Sequence, residues 1–555
     1  MADEKKHDDI EIGPVPSRTE GDVVEINGFE KPTMLVDDAG FHRRLSKRQV
    51  MMMTFGAGIG TGLWVGTGTA LKYAGPGGIA VAYTLQSFIV WTLYMSIGEM
   101  TTYRPVHGGF IRQAVEYVDP ALGFAEGVNY WFTWVMIIPA EVTAAVSVLK
   151  FWPESEKVPL AAYITLFLVA TALPNVFPVK WYGKFEYVMS WCKLFAIFIV
   201  IFYMFIMASG GVASTNGPLV FKYWESPGAF HNGMKGLAKA FVQAAFSFGS
   251  AQHIAMIAGE AKTPRKTTKS VVMPIFWRIF SFFILNIWLV GMCVPYDNPD
   301  LVNGSGTFGS PFVIALQLGN ANGLAHAING FIFLTVISCG VTSVYVSSRA
   351  LTALSDLDVI HPIFGKKDSR GRPWMSLTIS TVLGAGLCYL NLDSTAIEVY
   401  NWFSSLVSIS TFMDWLAMFW THINFRRALK AQGIPYDSLP FKAPFAPYCQ
   451  YLAIALTLFA MSCEFYLALY PFGEEPSAKA FFSVYLAFPL FIFDYFVYKF
   501  WYKTKLVKPK EVDFTEARAF DEQDRIDAED EAQNGHVGLR RRWNPVRIAK
   551  DVILG

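Results

Sequence analysis

Long apolar segments alternate with short polar ones along almost the whole chain. Each apolar segment has about 20 residues, the length that an α-helix needs to cross the ~30 Å hydrocarbon core of a membrane. Twelve such segments are found, at residues 50–73, 79–100, 123–149, 158–177, 185–209, 237–258, 275–295, 326–354, 374–391, 395–422, 448–470 and 479–500. The pattern predicts an all-α polytopic membrane protein with 12 transmembrane helices, formed by residues 50–502.

Polar segments precede and follow this domain, at residues 1–49 and 503–555. Lys and Arg are concentrated in the loops that follow the even-numbered spans, whereas the loop at 295–311 has neither and carries Asp297 and Asp300. Because positively charged loops stay on the cytoplasmic side, both termini are predicted to be cytoplasmic. The mixed acidic and basic composition of the C-terminal tail favours disorder, with a basic patch on an anionic leaflet as the alternative.

Composition agrees with a membrane protein and excludes several other classes. Hydrophobic residues make up 53% of the chain and charged residues only 16%, against roughly 25% in soluble proteins. The formal net charge of +1 gives no field for binding nucleic acid. The six cysteines are scattered without a CxxC pair, so neither a disulfide framework nor a metal site is expected. No cofactor is expected either.

The first apolar segment contains a stretch that is unfavourable for a continuous helix. Thr54–Gly68 reads TFGAGIGTGLWVGTG and has six glycines in fifteen residues. Each glycine costs roughly 1 kcal/mol relative to alanine in a helix. An unwound backbone in lipid is tolerated only where it is buried in protein or lines a cavity. The stretch therefore predicts a broken helix at a functional site.

A transporter built from inverted repeats would have a matching break five spans later. The sixth span reads FVQAAFSFGSAQHIAMIAGE, with Phe248, Gly249 and Ser250 in its middle. A single glycine in a membrane helix is more often a packing contact. Its place in the corresponding span of a second five-helix half favours a second break.

Two such breaks give a site of defined chemistry. The start of a half-helix presents free N–H groups and partial positive charge, which suit a carboxylate, and the end of a half-helix presents carbonyl oxygens, which suit an ammonium group. Both together favour a zwitterion such as an α-amino acid. The residues predicted to bind it are Gly58, Ile59, Gly60, Thr61 and Gly62 at the first break, and Phe246, Phe248, Gly249 and Ser250 at the second, with Phe248 as a gate.

Several segments resemble the fungal amino acid permeases of the amino acid–polyamine–organocation superfamily. They are GIGTGLWVGTG at 58–68, Gly75-Pro76-Gly77 with Gly98-Glu99 and Pro105, GEAKTPRKT at 259–267, SPFVIA at 310–315 and NWFSSL at 401–406. The resemblance covers spans one to ten in order. It implies a LeuT-like five-plus-five inverted repeat with two added helices, and proton-coupled uptake across the fungal plasma membrane.

The resemblance also implies roles for two charged residues within spans. Lys193 stands where sodium-coupled relatives bind their ion, and an intramembrane lysine is a candidate functional residue. It is predicted to carry the coupled proton; the alternative is that it extends to the interface near a helix end. Glu141, after Pro139, resembles a family glutamate. Glu141 is predicted to contact the substrate or the coupled proton; the alternative is that it pairs with another side chain in a purely structural role.

The chain departs from the family at two positions. Where the family often carries a glutamate just past the sixth-span break, this chain has Gln252, followed by His253. Gln252 keeps the hydrogen bonds, loses the charge and is predicted to bind the substrate, and His253 is either a titratable group or a packing residue. Asp414 replaces a small or hydroxyl residue, and either tunes the substrate pocket or bonds to a neighbouring helix.

The leading function is the import of amino acids with protons, with the amino acid, the proton and the lipid bilayer as partners. One alternative is a transporter of a polyamine, choline or carnitine. Another is a nutrient sensor that binds substrate and signals through its tails. An enzyme is not predicted, because the sequence has no nucleotide-binding loop and no HExxH motif. Oligomeric state and the identity of the amino acid stay open.

Overall fold

The computed structural model describes residues 25–26, 29–30, 47–105, 108–177, 179–215, 217–258, 264–301, 309–368, 371–392, 396–473, 475–518, 520–522 and 525. The chain divides into two compact units, Met1–His42 and Arg43–Gly555. In the small unit, strands β1 (Glu25–Ile26) and β2 (Phe29–Glu30) pair antiparallel. The described part of the large unit is almost entirely helical.

The large unit forms eighteen α-helices within the described residues. Those of the first half are α1 (Lys47–Ala57), α2 (Thr67–Tyr103), α3 (Gly109–Tyr117), α4 (Pro120–Leu149), α5 (Leu160–Val176) and α6 (Val179–Ala208). Those of the second half are α7 (Gly233–Phe248), α8 (His253–Ala258), α9 (Pro264–Val272), α10 (Ile275–Ile279), α11 (Leu285–Cys293), α12 (Pro311–Leu318), α13 (Asn322–Asp356), α14 (Trp374–Cys388) and α15 (Ala396–Ala431). The last three are α16 (Tyr448–Leu469), α17 (Ala478–Tyr485) and α18 (Ala487–Trp501).

Every predicted span overlaps one or more of these helices, and the chain is an integral membrane protein. Among the described residues, seven helices are long and apolar enough to cross a membrane, or eight if α17 and α18, bent by 67°, count as one span. Of the remaining predicted spans, the first, fourth and sixth fall on short or interrupted helices, α1, α5 and α7, whereas the tenth lies in the long helix α15, which is not among the seven. The count of twelve therefore stays a prediction.

The gap between the first two predicted spans, 50–73 and 79–100, contains a bend within α2. Gly75 has φ 75° and ψ 172°, a backbone conformation that glycine adopts without strain. Pro76 has no N–H to donate, and the N–H of Gly77 bonds instead to the carbonyl oxygen of Ala229 at 2.7 Å. The short helices α3 and α12 lie between predicted spans and were not predicted, because the pattern identifies only long apolar segments.

The start of the C-terminal tail packs against the helical body, contrary to the disorder that its composition favours. Phe514 is buried, with ring centroids 5.6 Å from Tyr103 and 6.0 Å from Phe425. Arg104 bonds to Glu516 at 2.8 Å and pairs with Glu116. Burial alone would lower the pKa of the Arg104 guanidinium, but these carboxylates raise it above its ordinary value. The basic stretch of the tail lies outside the described residues.

The core places the two glycine-containing breaks against each other. Helix α2 packs along α7, and α4 packs along both α13 and α15. Helix α1 lies against α6. The site therefore forms where α1 and α7 are interrupted, with α4, α6 and α13 around it.

Candidate functional site

Helix α1 is interrupted within the glycine-rich stretch. It ends at Ala57, residues 58–60 are non-helical, and helical structure resumes at Thr61 and continues through a π-helical turn, Gly62–Gly66, into α2. Gly62 faces the backbone of α7 so closely that a Cβ there would lie 2.5 Å from the Cα of Ser247. Glycine is needed here because the two backbones approach within a distance that no side chain can fit.

The second break lies opposite the first. Helix α7 ends at Phe248, residues 249–252 form turns, and α8 begins at His253. The N–H of Gly249 bonds to the carbonyl of Phe246 at 3.3 Å. Both breaks lie in the segments that the sequence pattern indicates.

A cavity of about 50 Å³ lies between the two breaks. It is lined by Gly60, Thr61, Gly62, Trp134, Ile137, Glu141, Lys193, Phe246, Ser247, Gly249, Ser250, Cys339, Thr342 and Ser343. A volume of this size holds only a few water molecules. A larger solute can enter only if the surrounding half-helices move apart, so this is a closed form of the site.

Helix termini of opposite polarity line the cavity. Gly60, Thr61 and Gly62 lie at the start of a half-helix, where the first N–H groups have no partner inside the helix and carry partial positive charge. Phe246 and Gly249 lie at the end of α7, where carbonyl groups carry partial negative charge. The arrangement can hold an anionic group at one end and a cationic group at the other.

Glu141 connects α4 to the first break. The hydroxyl of Thr61 donates a hydrogen bond to its carboxylate, and both residues line the cavity. Glu141 is buried, with 4% of its surface exposed. The carboxylate is therefore held at the wall of the cavity by a residue of the half-helix itself.

Lys193 is buried beside the end of α1 and does not extend to a membrane interface. Only 2% of its side chain is exposed. Its ammonium group donates to the carbonyl of Gly56 and to the carboxylate of Glu186, both at 3.2 Å. A cation is favourable at the end of a helix because the last carbonyl groups have no intrahelical partner. The charge on Lys193 thus stabilises the end of α1 next to the break.

Glu186 is a member of the site that sequence reasoning missed. Besides Lys193, it accepts hydrogen bonds from Ser338 at 2.7 Å and Thr342 at 3.4 Å, both on α13. It is 2% exposed. Its position seven residues before Lys193, two turns along one face of α6, is the signal that could have identified it.

Four of the predicted residues lie near the cavity but do not line it. Phe248, predicted as a gate, is buried and stacks on Phe283 with ring centroids 4.0 Å apart. Ile59 is fully buried in the core, and Gly58 lies in the turn before the lining residues. Gln252 bonds to Trp415 and Asp414. The other predicted residues line the cavity together.

We expect Gly62→Ala to reduce substrate uptake about tenfold or more. The new Cβ would contact backbone atoms of Ser247, which cannot rotate away, and overpacking of this kind costs about 1–3 kcal/mol. The measurement is initial uptake normalised to the amount of protein in the membrane. Gly330→Ala, in α13 with open space at its Cβ position, is the matched control and should transport normally. Equal uptake by both variants would contradict the close contact of the two breaks.

Comparison with known proteins identifies the family. The sequence model described as Amino acid permease matches residues 49–511. The chain is a member of the amino acid permease family. Amino-acid permease GAP5 of Candida albicans is 35% identical to it over 480 residues, covering 86% of this chain and 77% of that protein.

Two further relatives are also named permeases. The general amino-acid permease GAP1 of Saccharomyces cerevisiae is 32% identical, with 93% of this chain and 86% of that protein covered. The proline-specific permease of Emericella nidulans is 32% identical, with 93% and 96% covered. A solved manganese transporter of Eremococcus coleocola aligns with a TM-score of 0.49 at 12% identity, over 82% of this chain and 93% of that one. Because its relatives are permeases, the protein is a transporter and not an enzyme, and its family supports amino acid transport.

Proposed function

We propose that this permease imports amino acids together with protons, by alternating access to a single site. The observation that carries the proposal is the cavity between two broken helices, which is lined by the start of one half-helix and by the end of another. This polarity matches the two charged groups that every α-amino acid has. A polyamine has no carboxylate for the positive end.

In this proposal the α-carboxylate binds the N–H groups at Gly60–Gly62, and Gly58 and Ile59 form the turn that orients them. The α-ammonium group binds the carbonyl groups of Phe246, Gly249 and Ser250. Glu141 borders the carboxylate end through its bond with Thr61. The amino acid side chain extends towards Trp134 and Ile137, the large apolar residues of the cavity wall.

Lys193 carries the coupled proton in this proposal. When protonated, its ammonium group bonds to Gly56 and Glu186 at once. A neutral amine loses the charge-assisted part of both contacts, and the end of α1 is then free to move relative to α6. Protonation and the position of the broken helix are thereby linked, which is what coupled transport requires.

The broader architecture follows the same proposal. The breaks lie in the first and sixth of twelve spans, as a five-plus-five inverted repeat of the LeuT type requires, and the last two spans are additions. Both termini are cytoplasmic, and the fungal plasma membrane is the proposed location. The amino acid is bound transiently as substrate, and no cofactor takes part.

Competition for uptake tests the substrate class. Amino acids of each charge and size class, each paired with its decarboxylated amine, compete against a radiolabelled substrate. We expect the amine to compete about tenfold or more weakly, because it lacks the group that satisfies the N–H donors. Equal competition by the amine would overturn the α-carboxylate assignment and favour the polyamine alternative. Binding without uptake in the same cells would favour a nutrient sensor.

A further inference from the structure

Two carboxyl groups lie together in the core, outside the cavity. Glu126 on α4 and Asp414 on α15 are both fully buried, and Asn129, which lies one turn after Glu126 on the same face of α4, bonds to Asp414 at 2.7 Å. Neither oxygen of Glu126 has a hydrogen-bond partner among the described residues. Glu126 and Asp414 are called the carboxyl pair below.

Neutral amides hold Asp414 in place. Asn129 donates to one of its oxygens at 2.7 Å and Gln252 to the other at 3.5 Å. The orientation of Gln252 is fixed because the indole N–H of Trp415, which can only donate, bonds to its amide oxygen at 3.1 Å. The orientation of the Asn129 amide is fixed in the same way. Its nitrogen also donates to the backbone carbonyl oxygen of Ser410, and a carbonyl oxygen can only accept.

The described groups around the pair supply no compensating cation. On α4 the nearby titratable group is Tyr130, and on α8 it is His253; both are buried. On α3, which packs against α4 and α15, Arg112 is paired with Glu116 at 2.7 Å. Further along α15, His422 faces Glu99 at 3.4 Å. On α18, which packs against both α4 and α15, Lys499 is paired with Asp119.

Two ionised carboxylates without a cation are very unfavourable in a buried site. The amides around Asp414 favour its ionised form, whereas Glu126 has no donor that would stabilise a charge. The arrangement therefore favours a proton on Glu126. Because Gln252 belongs to the interrupted segment between α7 and α8, any movement of that break changes the donors around Asp414.

Helix α4 connects the pair to the cavity. Glu126 precedes Trp134, a lining residue, by eight residues, which is about 12 Å along α4. Tyr130 lies between them on the same helix. Going from Trp134 to Glu126 along α4 leads from the cavity towards the start of the helix at Pro120, which follows α3 and its contacts with Arg104.

We propose that Glu126 and Asp414 form a second proton-binding site, which exchanges its proton on the cytoplasmic side as the α7–α8 break moves. The inference rests on the proposed proton symport. The ligand is the proton itself, transferred between carboxyl oxygens without any covalent change in the substrate. Glu126 and Asp414 bind it, and Gln252 is a positioning residue that makes exchange depend on the conformation of the break.

The test uses the full-length protein in proteoliposomes, with Glu126→Gln, Asp414→Asn and, as a matched control on α18, Asp494→Asn. Two activities are compared: exchange of labelled substrate at equal pH on both sides, which needs no net proton movement, and accumulation driven by a proton gradient at several internal pH values. We expect both variants of the pair to retain exchange, to lose at least tenfold in accumulation and to lose its dependence on internal pH. The control should match the wild type.

Unchanged accumulation with unchanged pH dependence in both variants would overturn the proposal. Infrared spectroscopy supplies a readout that does not depend on transport: the carbonyl band of a protonated carboxyl should titrate in the wild type and be weaker in Glu126→Gln.

If the wild type accumulates nothing under a proton gradient but shows this band, proton symport fails and the proton-binding pair stands. If Glu126→Gln leaves the band unchanged, the pair is not a proton site. Should that variant fail to fold, Glu126→Asp, which can still be protonated, should shift the band, and an unshifted band would overturn the proposal.

Discussion

Lys193→Met is expected to abolish the accumulation of substrate against its concentration gradient. The substitution removes the group proposed to carry the proton, together with its bonds to Gly56 and Glu186. Without a coupled ion, a carrier can only equilibrate its substrate between the two sides. The measurement is the steady-state ratio of internal to external amino acid in proteoliposomes with an inward proton gradient.

Loss of stability must be separated from loss of coupling in this experiment. Lys193→Met leaves the Glu186 carboxylate buried without its cation, which costs about 3–5 kcal/mol. Adding Glu186→Gln removes that charge and should restore the amount of folded protein without restoring accumulation. Lys184→Met, an exposed lysine on the same helix, is the matched control. Full accumulation by Lys193→Met would show that Lys193 does not carry the proton.

Glu99→Gln is expected to lower the free energy of unfolding by about 3–5 kcal/mol. Glu99 is fully buried at the end of α2, and both of its oxygens accept bonds from Arg426 of α15 at 2.7 Å. With a neutral partner, the buried guanidinium keeps its charge and loses its counter-ion. The measurement is the melting temperature of the purified protein in detergent.

The matched control for Glu99 is an exposed ion pair. Asp437 bonds to Lys442 at 2.6 Å at the protein surface, where water screens the interaction. Asp437→Asn should therefore melt at the wild-type temperature. If Glu99→Gln also melted at that temperature, the pair between α2 and α15 would not contribute to stability.

The helix breaks could be predicted because their cause is local. Six glycines between Thr54 and Gly68 weaken the helix whatever surrounds it, and α1 does end at Ala57. The bend at Gly75 falls in the gap between predicted spans 50–73 and 79–100, but the pattern cannot show that Gly77 bonds to Ala229, 152 residues away. The ends of some helices also differ from those predicted. Helix α15 continues to Ala431, beyond the predicted span 395–422, because the polar residues that follow that span are still helical.

The composition of the site was only partly predictable. Glycines, Lys193 and Glu141 are unusual within apolar segments, and the cavity brings them together. Glu186 escaped notice because it lies near the start of its segment, and its role depends on contacts with α13. The placement of Phe248 against Phe283 depends on the packing of α7 on distant helices, which periodicity does not reveal.

The most direct test of coupled transport is the movement of protons caused by substrate. Proteoliposomes containing the purified permease and a pH-sensitive dye inside are mixed with an amino acid that the competition panel identifies as substrate. The account predicts that the interior acidifies as the amino acid enters, and that Lys193→Met shows no such acidification. Uptake of the amino acid by the wild type without any change in internal pH would contradict proton symport.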